Sequence, residues 1–85
     1  MVNAYDLSPA LRGKSADEQS RVAQAIMAAC REGRFPLSAA DTRALSEFVV
    51  QIHHGRAVDD TLLLAVSTLC RQYEQHLIAR ARGGR

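Results

Sequence analysis

Apolar residues recur every three or four positions in three stretches of the 85-residue chain. The three apolar lines are Val22, Ile26, Ala29 and Cys30, then Leu45, Phe48, Val49 and Ile52, then Leu62, Val66, Leu69, Tyr73 and Leu77. This spacing follows one face of an α-helix, and polar residues fill much of the opposite faces. The pattern therefore predicts three amphipathic helices that pack together through their apolar faces.

Helix boundaries follow from a unit that occurs twice, in which glycine and arginine stand a few residues before a capping side chain. Gly33 can end the first helix in the left-handed conformation and Ser38 can cap the second, and Gly55 and Asp59 repeat this arrangement before the third. Ser15 stands three residues before a glutamate, which is the S-x-x-E pattern of a capping box. These signals predict helices over residues 15–32, 38–54 and 59–82.

The two connections between these helices are four or five residues long, so consecutive helices are expected to be antiparallel neighbours. We therefore predict an all-α fold, a three-helix up-down-up bundle in a single domain that spans residues 1–85. The apolar line of the third helix returns to a charged residue at Arg80. Because a buried arginine is costly, the line is expected to leave the bundle near Leu77.

The segment of residues 1–14 precedes the first predicted helix. Ser8 could cap a single helical turn that Pro9 opens and Gly13 ends. We expect this segment to lie on the bundle as a short N-terminal arm, with a frayed chain end as the alternative. Its large apolar residues are Val2, Tyr5, Leu7 and Leu11.

Charge is unevenly distributed along the chain, although the formal net charge is only +2. Residues 1–70 hold seven Lys or Arg and eight Asp or Glu, a balance of −1, whereas residues 71–85 hold four Arg and one Glu, a balance of +3. The basic character therefore lies in the C-terminal tail. No stretch approaches the apolar length needed to span a bilayer, and no secretory leader is visible, so we expect a cytoplasmic protein without a membrane partner.

Two cysteines and three histidines are the candidate metal ligands. Cys30 and Cys70 lie on the apolar lines of two parallel helices at similar heights, and we expect reduced core thiols rather than a disulfide. His53 and His54 come at the end of the second helix, whereas His76 and Cys30 lie toward the other end of the bundle. Because these side chains do not converge, no metal site is predicted.

The sequence carries no recognisable catalytic pattern, such as a Gly-rich phosphate loop or an H-E-x-x-H motif. A bundle of this size is also expected to lack a cleft large enough for an ordinary ligand. We therefore predict a protein that is not an enzyme and needs no cofactor.

Three large apolar residues fall outside the predicted core lines: Val50 on the second helix, and Leu64 and Ile78 on the third. Isolated exposed apolar side chains are common on protein surfaces, so one interpretation is that these three residues are exposed without a functional role. The other is an interface, with Arg71 and the tail arginines as its polar rim. We predict an interaction module, an adaptor, inhibitor or accessory subunit, that binds another protein or a second copy through the third helix.

Nucleic-acid binding is the alternative function. Small three-helix domains include helix-turn-helix proteins, and here the second helix would enter the groove with Thr42 and Arg43. Arg80, Arg82 and Arg85 of the tail would contact phosphates. Acidic residues in the first turns of the second and third helices oppose this interpretation, and the sequence pI of about 8.8 is modest for such a protein.

Overall fold

The structure, a computed structural model, describes residues 7–83, and within that range it contains three α-helices and no strand. They are α1 (Ala16–Arg31), α2 (Ala39–His53) and α3 (Asp60–Gly83). Each helix contacts the other two. The predicted all-α three-helix bundle is confirmed.

The N-termini of α1 and α2 are held by reciprocal side-chain hydrogen bonds. Ser15 accepts a hydrogen bond from the Glu18 amide, and the Glu18 carboxylate accepts one from the Ser15 amide. These bonds to Ser15 lower the pKa of Glu18. The same capping box forms between Ser38 and Asp41 at the start of α2, where the sequence analysis had predicted only the serine cap.

The C-termini of α1 and α2 end in the same glycine motif. Gly33 and Gly55 have φ angles of +75° and +69°, the left-handed conformation that their position predicts. The amide of the arginine after each glycine donates to a carbonyl five residues earlier, from Arg34 to Ala29 at 2.8 Å and from Arg56 to Gln51 at 2.9 Å. Each glycine amide donates to the carbonyl three residues before it, which completes a Schellman motif.

The core consists of the apolar faces of the three helices together with one residue of the arm and one of the first connection. The fully or nearly fully buried apolar residues are Leu11, Ala23, Ile26, Ala29, Phe35, Leu45, Phe48, Val66, Leu69 and Cys70. The apolar line of α3 leaves the core near Leu77, as predicted, because Tyr73 is half-buried and Leu77 is exposed. All residues of α3 from Leu77 to Gly83 are exposed, so its last two turns extend past the core.

The N-terminal arm packs on the bundle over the part that the structure describes. Ser8 and Leu11 are completely buried, and the Ser8 amide donates to the hydroxyl of Ser67 on α3 at 2.6 Å. The predicted helical turn is present, since the Leu11 amide donates to the Ser8 carbonyl and Gly13 has a φ of +71°. Val2 and Tyr5, which we had assigned to the arm, lie outside the described residues.

Candidate interaction surface

Four large apolar side chains are exposed among residues 7–83, and three of them lie on α3. Leu64, Leu77 and Ile78 retain 40%, 45% and 40% of their accessible surface, and Val50 on α2 retains 51%. Val50, Leu64 and Ile78 fall outside the apolar lines of their helices, which predicts their exposure. Leu77 lies on the apolar line of α3 and is exposed as well, because helical periodicity assigns a residue to a face but does not show where along the helix the core ends.

Leu64, Arg71 and Ile78 lie on one face of α3. They are spaced seven residues apart, so successive side chains differ by only about 20° around the helix and about 10.5 Å along it. All three are exposed. We call them the α3 stripe; it presents two aliphatic side chains with a guanidinium between them.

Val50 lies in a different groove. It lines an open cleft of about 430 Å³ between α1 and α2, together with Arg21, His53 and six further residues, none of which belongs to α3. That cleft is lined by α1, α2 and the residue that follows α2, so the surroundings of Val50 differ from those of the α3 stripe, and a shared interface for Val50, Leu64 and Ile78 stays a prediction.

A second groove runs between the arm, α1 and α3, with a volume of about 460 Å³. Lys14 and Glu74 are its two charged residues. We call it the arm groove; the rest of its lining is Pro9, Ala10, Val22, Ala25, Ile26, Cys70, Tyr73 and Leu77. Both clefts are surface grooves that are open to solvent, whereas a small-molecule site encloses most of its ligand, so the expectation that the bundle lacks a ligand-sized cleft stays a prediction.

An aromatic cluster attaches the first connection to α3. Phe35 is buried and meets the rings of Tyr73 and His76 edge to face, with ring centroids 5.1 Å and 5.2 Å away. Nε2 of His76 is 2.6 Å from the carbonyl oxygen of Arg34 and donates to it. His76 is thus engaged in packing, and residues 7–83 contain no group of three or more His, Cys, Asp or Glu side chains that could hold a metal ion.

Both cysteines are free thiols in the structure. Burial raises the pKa of the Cys70 thiol to about 11, and the nearby Glu74 carboxylate adds to this shift. Cys30 is only half-buried. Cys70 is therefore a packing residue in its protonated form, since the thiolate is the reactive species of cysteine.

The candidate nucleic-acid contacts lie on two elements. Thr42 and Arg43 are exposed on the first turns of α2, where the Thr42 hydroxyl donates to the Ser38 carbonyl. Arg80 and Arg82 are exposed on the last turns of α3, and Arg85 lies outside the described residues.

Neither a protein-family model, nor a curated protein, nor a solved structure matches the chain. None of the three helices within residues 7–83 combines the length and the apolar character that crossing a bilayer requires.

Proposed function

We propose that this protein is a small, non-catalytic interaction module that binds a partner protein or a second copy of itself through α3. The observation that supports the proposal is the concentration of exposed large apolar side chains on one helix, at Leu64, Leu77 and Ile78. An adaptor, an inhibitor and an accessory subunit are all roles of this class, and the cytoplasm is its proposed compartment.

The size of the exposed apolar surface indicates how much a partner must cover. Complete burial of a leucine or isoleucine side chain contributes about 1.5–3 kcal/mol, so burying the exposed 40–45% of each contributes about 1 kcal/mol. The three α3 side chains together then contribute about 3 kcal/mol. Since association costs at least about 4 kcal/mol in lost rotational and translational freedom, a stable complex must bury additional surface beside them.

Arg71 lies between the two aliphatic residues of the α3 stripe. Its guanidinium can donate several hydrogen bonds to carboxylates or carbonyls at the edge of an interface. We propose that Leu64 and Ile78 bury apolar surface while Arg71 fixes the orientation of the partner. We propose Val50, in the cleft between α1 and α2, as a second contact site for the partner.

A substitution on the α3 stripe tests the proposal. Leu64→Glu places a charge at an exposed position, so helix content by circular dichroism should stay unchanged while self-association or partner binding weakens. Gln72→Glu is the matched control, because Gln72 is exposed and lies about 100° around α3 from Arg71. Light scattering measures self-association, and capture from the native host measures binding to a partner protein. Unfolding of the Leu64→Glu variant would place Leu64 in the core, and equal binding by both variants would contradict an α3 interface.

One observation favours the alternative, nucleic-acid binding. The contact between the Arg34 carbonyl and His76 puts the start of α2 and the second half of α3 at the same end of the bundle. Arg43, Arg80 and Arg82 therefore belong to one end. Retention on heparin that falls steeply with salt would support this function, because released counterions drive such binding, whereas a complex that resists salt supports protein binding.

A further inference from the structure

The arm groove continues onto the exposed end of α3. Leu77 lines the groove, and Ile78 and Ala81 are exposed immediately beyond it. At 100° per residue, Ala81 lies 40° and Ile78 lies 100° around the helix from Leu77. We call Leu77, Ala81 and Ile78 the α3 end face; it and the groove form one apolar surface that shares Leu77.

Two arginines flank the α3 end face. Arg80 lies 60° beyond Leu77 on one side, and Arg82 lies 40° beyond Ile78 on the other. Within the groove, Lys14 and Glu74 carry opposite charges, so they offset each other. The charge contributed by the groove and by the flanks of the end face together is therefore positive, and Arg80 and Arg82 supply it.

The same charges disfavour a second copy as the occupant. Arg80 and Arg82 flank the α3 end face in every copy, so two end faces that packed on each other would bring like charges together. Like charges opposed across an interface are destabilising. A partner with carboxylates at both edges of an apolar face complements the same surface.

From this geometry, and on the basis of the proposed interaction through α3, we infer that the arm groove and the α3 end face bind a helix of a partner protein whose apolar stripe is flanked by acidic residues. The apolar stripe covers Tyr73, Leu77 and Ile78, and the acidic flanks meet Arg80 and Arg82. Such a helix packs across α1 and α3 as a fourth helix. It buries the groove as well as the exposed α3 side chains, and so provides the additional buried surface that a stable complex needs.

Two synthetic peptides test the inference on the full 85-residue chain. Both form an amphipathic helix with leucines at i, i+3, i+4 and i+7, and they differ only in having glutamate or lysine on both flanks of the stripe. Amide chemical shifts of the ¹⁵N-labelled protein locate the bound peptide. The glutamate peptide should shift the amides of Val22, Tyr73 and Leu77, and it should bind roughly tenfold more tightly than the lysine peptide in low salt.

Reversing the charge of the two arginines tests directly whether they select the acidic peptide. Arg80 and Arg82 are exposed, so replacing both with glutamate should leave the fold intact and reverse the preference, with the lysine peptide binding more tightly. Leu77→Ser should weaken the binding of both peptides roughly fivefold, whereas Gln72→Glu should change neither affinity by more than about twofold.

Several results would overturn the inference. No amide shift at the groove with millimolar peptide means that the surface does not bind a helix, and equal affinity for both peptides means that the arginines do not select acidic flanks. Concentration-dependent shifts at the same amides without peptide would identify a second copy as the occupant. If the peptides fail while Leu64→Glu still loses a native partner, the docking site is wrong and the proposed function stands. If the peptides bind as expected but no partner depends on α3, the proposed function fails instead.

Discussion

Replacing Ser67 with alanine tests how the arm is attached to the bundle. The Ser67 hydroxyl accepts a 2.6 Å hydrogen bond from the amide of Ser8, and both residues are almost completely buried. Ser67→Ala removes this acceptor while keeping a small side chain on the buried face of α3. The Ser8 amide then stays buried without a partner, or the arm separates from α3 so that water reaches the amide.

The expected cost is about 1–3 kcal/mol, which is the penalty for a buried donor left without its acceptor. In a domain of this size, 1 kcal/mol shifts the melting temperature by about 4–8 °C. The free energy of unfolding for a chain of this length is on the order of 4–13 kcal/mol, so the variant should remain folded with a measurably lower stability.

Urea unfolding followed by circular dichroism measures the change, and hydrogen exchange of the Ser8 amide shows where it occurs. Thr68→Ala is the matched control, because its exposed hydroxyl only donates to the Leu64 carbonyl of the preceding turn, and its removal should change stability by less than about 0.5 kcal/mol. Equal stability of the two variants, or an unprotected Ser8 amide in the unmodified protein, would refute the buried attachment of the arm.

Three further predictions concern the backbone, the tail and the thiols. Gly33→Ala should lower the free energy of unfolding, measured in urea, by about 1–2 kcal/mol, because the left-handed backbone opposes a Cβ that otherwise meets nothing within 4 Å. Gly83→Ala, at a helical glycine, should not lower it, and equal effects of the two substitutions would contradict this prediction. Deleting residues 80–85 should shift the melting temperature by less than about 2 °C, since a larger loss would mean that the tail is packed. Non-denaturing alkylation at pH 8 should modify Cys30 long before Cys70, whose thiolate forms only as the pH approaches about 11; an intact mass two daltons low, or faster labelling of Cys70, would overturn the assignment of free thiols.

The helices were predictable because local chemistry determines where each one begins and ends. Ser15 and Ser38 can cap a helix through their own side chains, and Gly33 and Gly55 tolerate the left-handed conformation that ends one. None of these signals depends on a distant part of the chain.

The details of the surface were less predictable because they depend on contacts between elements. Leu77 follows the core periodicity but has no element left to cover it, and Val50 has the same outward pattern as Leu64 but lies in a cleft with α1. The pairing of Ser8 with Ser67, 59 residues apart, has no local signal at all. The arm groove arises from three separate segments and could be found only once their packing was known.

Photo-crosslinking from α3 in the native host tests the central claim most directly. A photoreactive phenylalanine analogue is placed at Leu64 in one variant and at Gln72 in another, both at exposed positions of the same helix. The proposed interaction module predicts a discrete protein adduct, either with a partner or with a second copy, from position 64 and a weak or absent adduct from position 72. No protein adduct from position 64, or the same adducts in equal yield from both positions, would contradict an interface on this face of α3.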